Sequence, residues 1–111
     1  MATTMRTRLP ARDESLVQLG VRSDKFDYLV ALASACEDIV EFGPSMLVVS
    51  LGLDTYYLDP ISDLALTVDG FEACGGMVAG LGLPTVVLQE GGYADDDLGE
   101  NVRRWLLGTT T

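Results

Sequence analysis

Two short apolar runs of one kind, each closed by a turn carrying a functional side chain, leave this chain few folds to choose from. Met46-Leu47-Val48-Val49-Ser50-Leu51 stops at Gly52 and is followed at once by Leu53-Asp54-Thr55. Pro84-Thr85-Val86-Val87-Leu88-Gln89 runs into Glu90-Gly91-Gly92-Tyr93. Their length and β-branched content mark strands, and unbroken rather than alternating hydrophobicity is the pattern of parallel strands covered by helices on both faces. Between them Phe71, Cys74, Val78 and Leu81 recur at helical spacing behind Thr67, a cap residue, with Gly82 as the stop. Strand, helix and strand make a right-handed β-α-β unit. The spacing therefore predicts strands near 46–51 and 84–89, parallel in one sheet, with Asp54 and Tyr93 at the same edge.

The remaining periodicity adds a helix on each side. Phe26, Leu29, Ala33, Cys36 and Val40 repeat at three and four residues from Ser23 or Asp24 as cap to the Gly43-Pro44 stop. Leu98, Val102, Trp105 and Leu106 do the same near the C-terminus, with Asp97 and Glu100 reading as a capping box, Arg103 and Arg104 near the helix end and Gly108 closing it. Four glycines in the middle helix, Gly70, Gly75, Gly76 and Gly80, lower its intrinsic helicity by about 1 kcal/mol each relative to alanine and so point to close approach of a neighbouring element. Residues 1–22 show no clear period and read as an irregular lead-in, within which 14–19 could form a turn or edge strand; 23–108 form one α/β domain and 109–111 a tail.

The chain has 111 residues, enough for one small domain with a modest core, and carries a net charge of −10. No Lys or Arg occurs between Lys25 and Arg103, so a phosphate backbone would be repelled and nucleic acid is excluded as a partner. The acidity suits a cationic substrate and equally suits a dispersed soluble protein. No run approaches the ~18 apolar residues of a membrane span, and the basic N-terminus lacks the apolar core of a secretory signal, so a cytoplasmic protein without membrane contact is expected. Cys36 and Cys74 are far apart in sequence, in helices and without metal-ligand spacing, and read as buried thiols.

Ser50-Leu51-Gly52-Leu53-Asp54-Thr55, Asp59-Pro60-Ile61-Ser62, Leu66-Thr67, Gly82-Leu83-Pro84-Thr85 and Gln89-Glu90-Gly91-Gly92-Tyr93, in this order and spacing, resemble the C-terminal part of the zinc-dependent histone deacetylase and acetylpolyamine amidohydrolase family. The resemblance covers roughly residues 23–108. It implies an α/β, three-layer arrangement with a parallel sheet, a fragment of the arginase/deacetylase-like fold. It implies hydrolysis of an acetylated amine or lysine by zinc-activated water, the metal being held by two aspartates and a histidine.

Carried over residue by residue, the resemblance makes Asp54 a metal ligand and Tyr93 the catalytic hydroxyl that steadies the oxyanion. Gly91 and Gly92 become the substrate-binding backbone beside the acyl channel. Read as residues alone, Asp54 is equally a strand-end cap and Tyr93 a side chain packed on the sheet rim. The chain departs from the family at Tyr56, where polyamine-directed relatives carry histidine, and above all in containing no histidine. The base that takes the proton from water and the remaining ligands have no counterpart in 1–22. The expectation is a catalytically incomplete segment of a deacetylase, with a homo-oligomer or another partner covering the sheet edge left open. The alternatives are a non-catalytic interaction or oligomerisation module, and an unrelated doubly wound binding domain.

Overall fold

The computed structural model describes residues 3–8, 14–19, 25–60 and 65–110. Ser23 and Asp24 as caps, and Ile61-Ser62 of the family pattern, lie outside the described residues. The order among the described residues is β1 (Thr3–Arg8), β2 (Glu14–Leu19), α1 (Lys25–Phe42), β3 (Leu47–Gly52), α2 (Val68–Ala79), β4 (Thr85–Glu90) and α3 (Asp95–Gly108), with a 3-10 turn at Leu53–Thr55. None of the described helices is long and apolar enough to cross a membrane.

β3 and β4 pair in parallel, with Leu47 opposite Thr85 and Gly52 opposite Glu90, joined by α2. The two apolar runs thus form the expected α/β unit, each strand one residue later than the sequence placed it. At the N-terminus the structure differs from an irregular reading: β1 and β2 pair antiparallel, Thr3 with Leu19 through Arg8 with Glu14. Only 14–19 offered a strand signal in sequence, and a hairpin whose apolar residues are this sparse is set by its pairing more than by its period.

The core lies on one face of the β3–β4 pair. Leu53, Tyr56, Leu66, Phe71, Cys74 and Trp105 are buried together, with Val49, Leu51 and Val87 of the sheet and Tyr28, Leu29 and Leu32 of α1 packed against them. The other face is bare: Val48 is 59% exposed, Val86 46% and Leu88 52%. Continuous hydrophobicity predicted cover on both faces, and this chain supplies it on one. A three-layer arrangement would cover the open side. The buried stripe of α1 also differs from the expected one, running through Ala31 and Ala35 while Phe26 and Val40 face outward. A broad apolar surface on α1 left its rotation undetermined by pattern.

Of the four glycines, Gly75 carries the predicted close approach, while Gly80 is the C-cap of α2 and meets only its own helix. A Cβ at Gly75 would overlap the Trp105 carbonyl oxygen, and a Cβ at Gly108 of α3 would overlap the Glu72 carbonyl oxygen. The two helices therefore touch backbone to backbone, with Trp105 sealed beside the crossing at 2% exposure. Gly108 is the last residue of α3 and a contact residue, not merely the stop read from sequence. Arg104 ties the same helices together, donating to Asp69 at 2.5 Å and Glu72 at 3.0 Å. It does not serve the helix C-terminus, and the last turn of α3 holds no basic residue.

The expected caps differ in the same way. Thr67 occupies the N-cap of α2 without a side-chain cap bond. α3 begins two residues before Asp97, with Ala94 at the N-cap, so Asp97 and Glu100 form no capping box. Three consecutive aspartates, Asp95 to Asp97, favour the positive end of the helix without needing that register.

Steric fit at the α2–α3 crossing predicts opposite outcomes for two Gly→Ala changes. Gly75→Ala should destabilise the chain by about 1–3 kcal/mol through overpacking, or more if the helices must separate. Gly99→Ala, on α3 with open space around its would-be Cβ, should stabilise it by about 0.5–1 kcal/mol. Urea unfolding of the two variants checks both signs.

Candidate active site

The register that sets Gly52 opposite Glu90 brings the chain segments beyond β3 and β4 out of the sheet side by side. After β3 the backbone turns once, and Leu53 and Thr55 point inward at 1% and 5% exposure. Asp54 between them is half-buried, its carboxylate aimed across the gap between the strand ends. Thr55 Oγ1 donates to the Gly52 carbonyl oxygen at 3.4 Å, steadying the turn from inside.

The segment after β4 passes directly against that carboxylate. Gly91 has φ 66° and a Cβ there would sit 3.1 Å from Asp54 Cγ, so conformation and space both favour glycine. Gly92 follows at φ 102°, and its would-be Cβ meets Leu98 Cδ1 at 2.6 Å and Leu53 Cβ at 3.0 Å. Tyr93 then emerges with its side chain 48% exposed on the same edge as Asp54. Its backbone N–H donates to Asp59 Oδ2 at 2.7 Å, and Asp59 is itself buried at 6% exposure. Asp54, Gly91, Gly92 and Tyr93 thus occupy one rim, as the strand pattern requires.

Asp59 and the Tyr56–Asp97 pair complete the surroundings; the sequence offers Asp59 only as a turn former or as a carboxylate joining Asp54 around a weakly held cation, and gives no sign of the Tyr56–Asp97 pair. Tyr56 Oη donates to Asp97 Oδ2 at 2.9 Å, tying the β3 turn to the first turn of α3. Tyr56 is 6% exposed, so it packs inward and does not line the rim, whereas Tyr57, against it edge to face with ring centroids 5.0 Å apart, is exposed. Burial and then the Asp97 carboxylate push the Tyr56 phenol up to about 12. The Tyr28 phenol of α1 is raised by burial and, secondarily, by the charges of Cys74 and Asp54. Cys74 is a buried thiol pushed up to about 12 by burial and Cys36 is a half-buried one raised by the same cause, so neither is a thiolate near neutral pH.

Residues 11–108 match the histone deacetylase domain model. The chain belongs to that family. It is 45% identical over 74 residues to the acetylpolyamine amidohydrolase of Burkholderia pseudomallei, covering 67% of this chain and 22% of that protein. Acetylpolyamine amidohydrolase 1 of Pseudomonas aeruginosa is 45% identical over 78 residues, 70% of this chain and 22% of its own length. The crystal structure of acetylpolyamine aminohydrolase from Burkholderia pseudomallei superposes with a TM-score of 0.80 at 37% identity, covering 82% of this chain and 27% of that one. This deacetylase-family chain therefore spans about a quarter of the length of the relatives it matches.

Zinc, the metal of this family, needs about three protein ligands plus an open position in a catalytic site. Among the described residues no three His, Cys, Asp or Glu side chains converge as a metal group. The chain has no imidazole to offer, and Asp59, the next carboxylate along the β3 loop, holds the Tyr93 amide instead. The residues present do not fit a complete zinc site: Asp54 offers one oxygen ligand.

The Tyr56 phenol predicts a specific alkaline response. Below pH ~10 the phenol is protonated folded or unfolded; between ~10 and about 12 the unfolded chain ionises it while the folded chain holds the proton, so unfolding releases a proton and stability falls as pH rises. Tyr56→Phe should flatten the fall in that window, leaving the part due to Tyr28 and the two cysteines, whose protons burial also holds. At neutral pH it should cost about 1.5–3 kcal/mol for the lost bond to a carboxylate. Urea midpoints measured from pH 7 to 12 read both effects.

Proposed function

We propose that this chain carries one rim of an acetyl-amide hydrolase site: Asp54 as a metal-ligating carboxylate, Tyr93 as the oxyanion donor, and Gly91 and Gly92 as the backbone lying along the substrate's acyl group. The observation that carries this reading is the Asp54 carboxylate seated on Gly91, two residues from an exposed Tyr93, at the tips of paired parallel strands. A hydroxyl held beyond a rigid strand end can donate to an amide carbonyl oxygen as it gains negative charge. An acetylated polyamine is the favoured substrate class. The 45% identities, over 74 and 78 residues, are to acetylpolyamine amidohydrolases, whereas Histone deacetylase 8 of Danio rerio is 33% identical over 93 residues. A net charge of −10 complements a polycation.

The same reading makes the 111 residues catalytically incomplete. Water activation calls for a base titrating near neutrality and a metal held by several ligands, and neither can come from a histidine-free chain with one rim carboxylate. The bare sheet face of Val48, Val86 and Leu88 gives the missing part a place to dock. The partner of best chemical fit is the complementary segment of a deacetylase domain, which brings the imidazoles and covers the sheet together.

Hydrolysis of N-acetylputrescine measures this directly. The isolated chain with added zinc should show no turnover. Mixed with the remaining segment of the Burkholderia relative it should gain activity, which Asp54→Ala abolishes and Tyr93→Phe lowers by about 10²–10³ in kcat. Zinc-dependent turnover by the isolated chain, lost in both variants, would overturn the incomplete-site reading. A reconstituted enzyme indifferent to both substitutions would overturn the assignment of the rim.

A further inference from the structure

Tyr93 follows two consecutive glycines at φ 66° and 102°, so the backbone that carries it has neither side chains nor regular secondary structure to hold its direction. Gly91 and Gly92 are fixed by packing against Asp54, Leu53 and Leu98, which sets position but not the orientation of the next peptide. That orientation is supplied from the other loop. Asp59 Oδ2 accepts the Tyr93 N–H at 2.7 Å across 34 residues of sequence, within the range of a charge-assisted bond.

Asp59 is anchored in turn. Its own N–H donates to the Tyr56 carbonyl oxygen at 3.0 Å, closing a turn on the segment that also carries Asp54, and Tyr56 is pinned to Asp97 of α3. A carboxylate at 6% exposure is costly unless hydrogen-bonded, so the geometry binds it to its partners. The loop after β3 thereby holds Asp54 directly and Tyr93 at one remove. Asp59-Pro60 reads in sequence as an ordinary turn start, which conceals this second use.

We infer that Asp59 is the positioning residue for Tyr93: its buried carboxylate sets the peptide from which the tyrosine hydroxyl projects, fixing the hydroxyl relative to Asp54. The inference rests on the proposed role of Tyr93, and Asp59 touches neither substrate nor reacting atoms. Asp59→Ala frees the Tyr93 amide and lets the ring wander, whereas Asp59→Asn keeps an acceptor oxygen of the same reach and retains part of the restraint.

The test is amide hydrogen exchange, together with ring ¹³C NMR of the four tyrosines, on the full chain as wild type, Asp59→Ala, Asp59→Asn and Tyr93→Phe. The Tyr93 amide should be protected in wild type, and the residue 93 amide equally so in Tyr93→Phe, because the donor is backbone. Asp59→Ala should speed its exchange about tenfold or more and move the Tyr93 ring signal toward its unfolded position, with Tyr28, Tyr56 and Tyr57 unchanged. Asp59→Asn should recover part of both. If the alanine variant does not fold, a loss in Asp59→Asn confined to residues 91–94 supports the inference. An unprotected Tyr93 amide in wild type, or acceleration spread evenly through α2 and α3, overturns it. Since the readout is a bond and not turnover, failure of the oxyanion role would leave this result intact, and failure here would leave the reconstitution assay to judge that role separately.

Discussion

The in-register parallel pairing of β3 with β4 is the constraint on which the rest depends. Setting Gly52 opposite Glu90 sends two loops out of the sheet at the same height, and from there one carboxylate and one phenol reach a common edge. A slip of one residue would turn the side chains of the slipped strand to the opposite face, and Leu53 and Gly92 could no longer close against each other. The register is secured by what lies between the strands in sequence. α2 crosses α3 at glycine-to-backbone distance, and Leu66 and Phe71 fill the space beneath the β3 turn at 1% and 2% exposure.

That arrangement explains an apparent imbalance in the molecule. Polar groups are concentrated and partnered at the strand tips, through Tyr56 with Asp97 and Asp59 with the Tyr93 amide, while the sheet behind them leaves one apolar face in solvent. A parallel sheet is ordinarily covered on both faces. The chain itself spans about a quarter of the length of the relatives it matches. The rim is therefore better finished than the scaffold that carries it, as expected if the rim is one side of a larger site.

Much of this was legible in the sequence because strands and glycines leave strong local signals. The two apolar runs, their common edge, the crossover helix and the close approach implied by Gly75 all followed from period and residue type. Bonds between distant segments did not. Asp59 has no period to announce that it accepts from Tyr93, and Asp97 looked like half of a capping box because residue spacing alone cannot distinguish a cap from a partner for Tyr56. Asn101, 1% exposed and with no hydrogen-bond partner for its Oδ1 among the described residues, gave no sequence sign of burial, since helix patterns are read from apolar residues. The facing of α1 was misjudged for the opposite reason, an excess of apolar positions.

The central claim is that Asp54 is a single ligand of a metal site whose other ligands lie outside this chain. Isothermal titration of zinc into the purified 111-residue protein at neutral pH, beside Asp54→Ala, tests it most directly. The account predicts no saturable uptake at micromolar zinc and no difference between the two proteins. One equivalent of zinc taken up by the wild-type chain and lost in Asp54→Ala would contradict it.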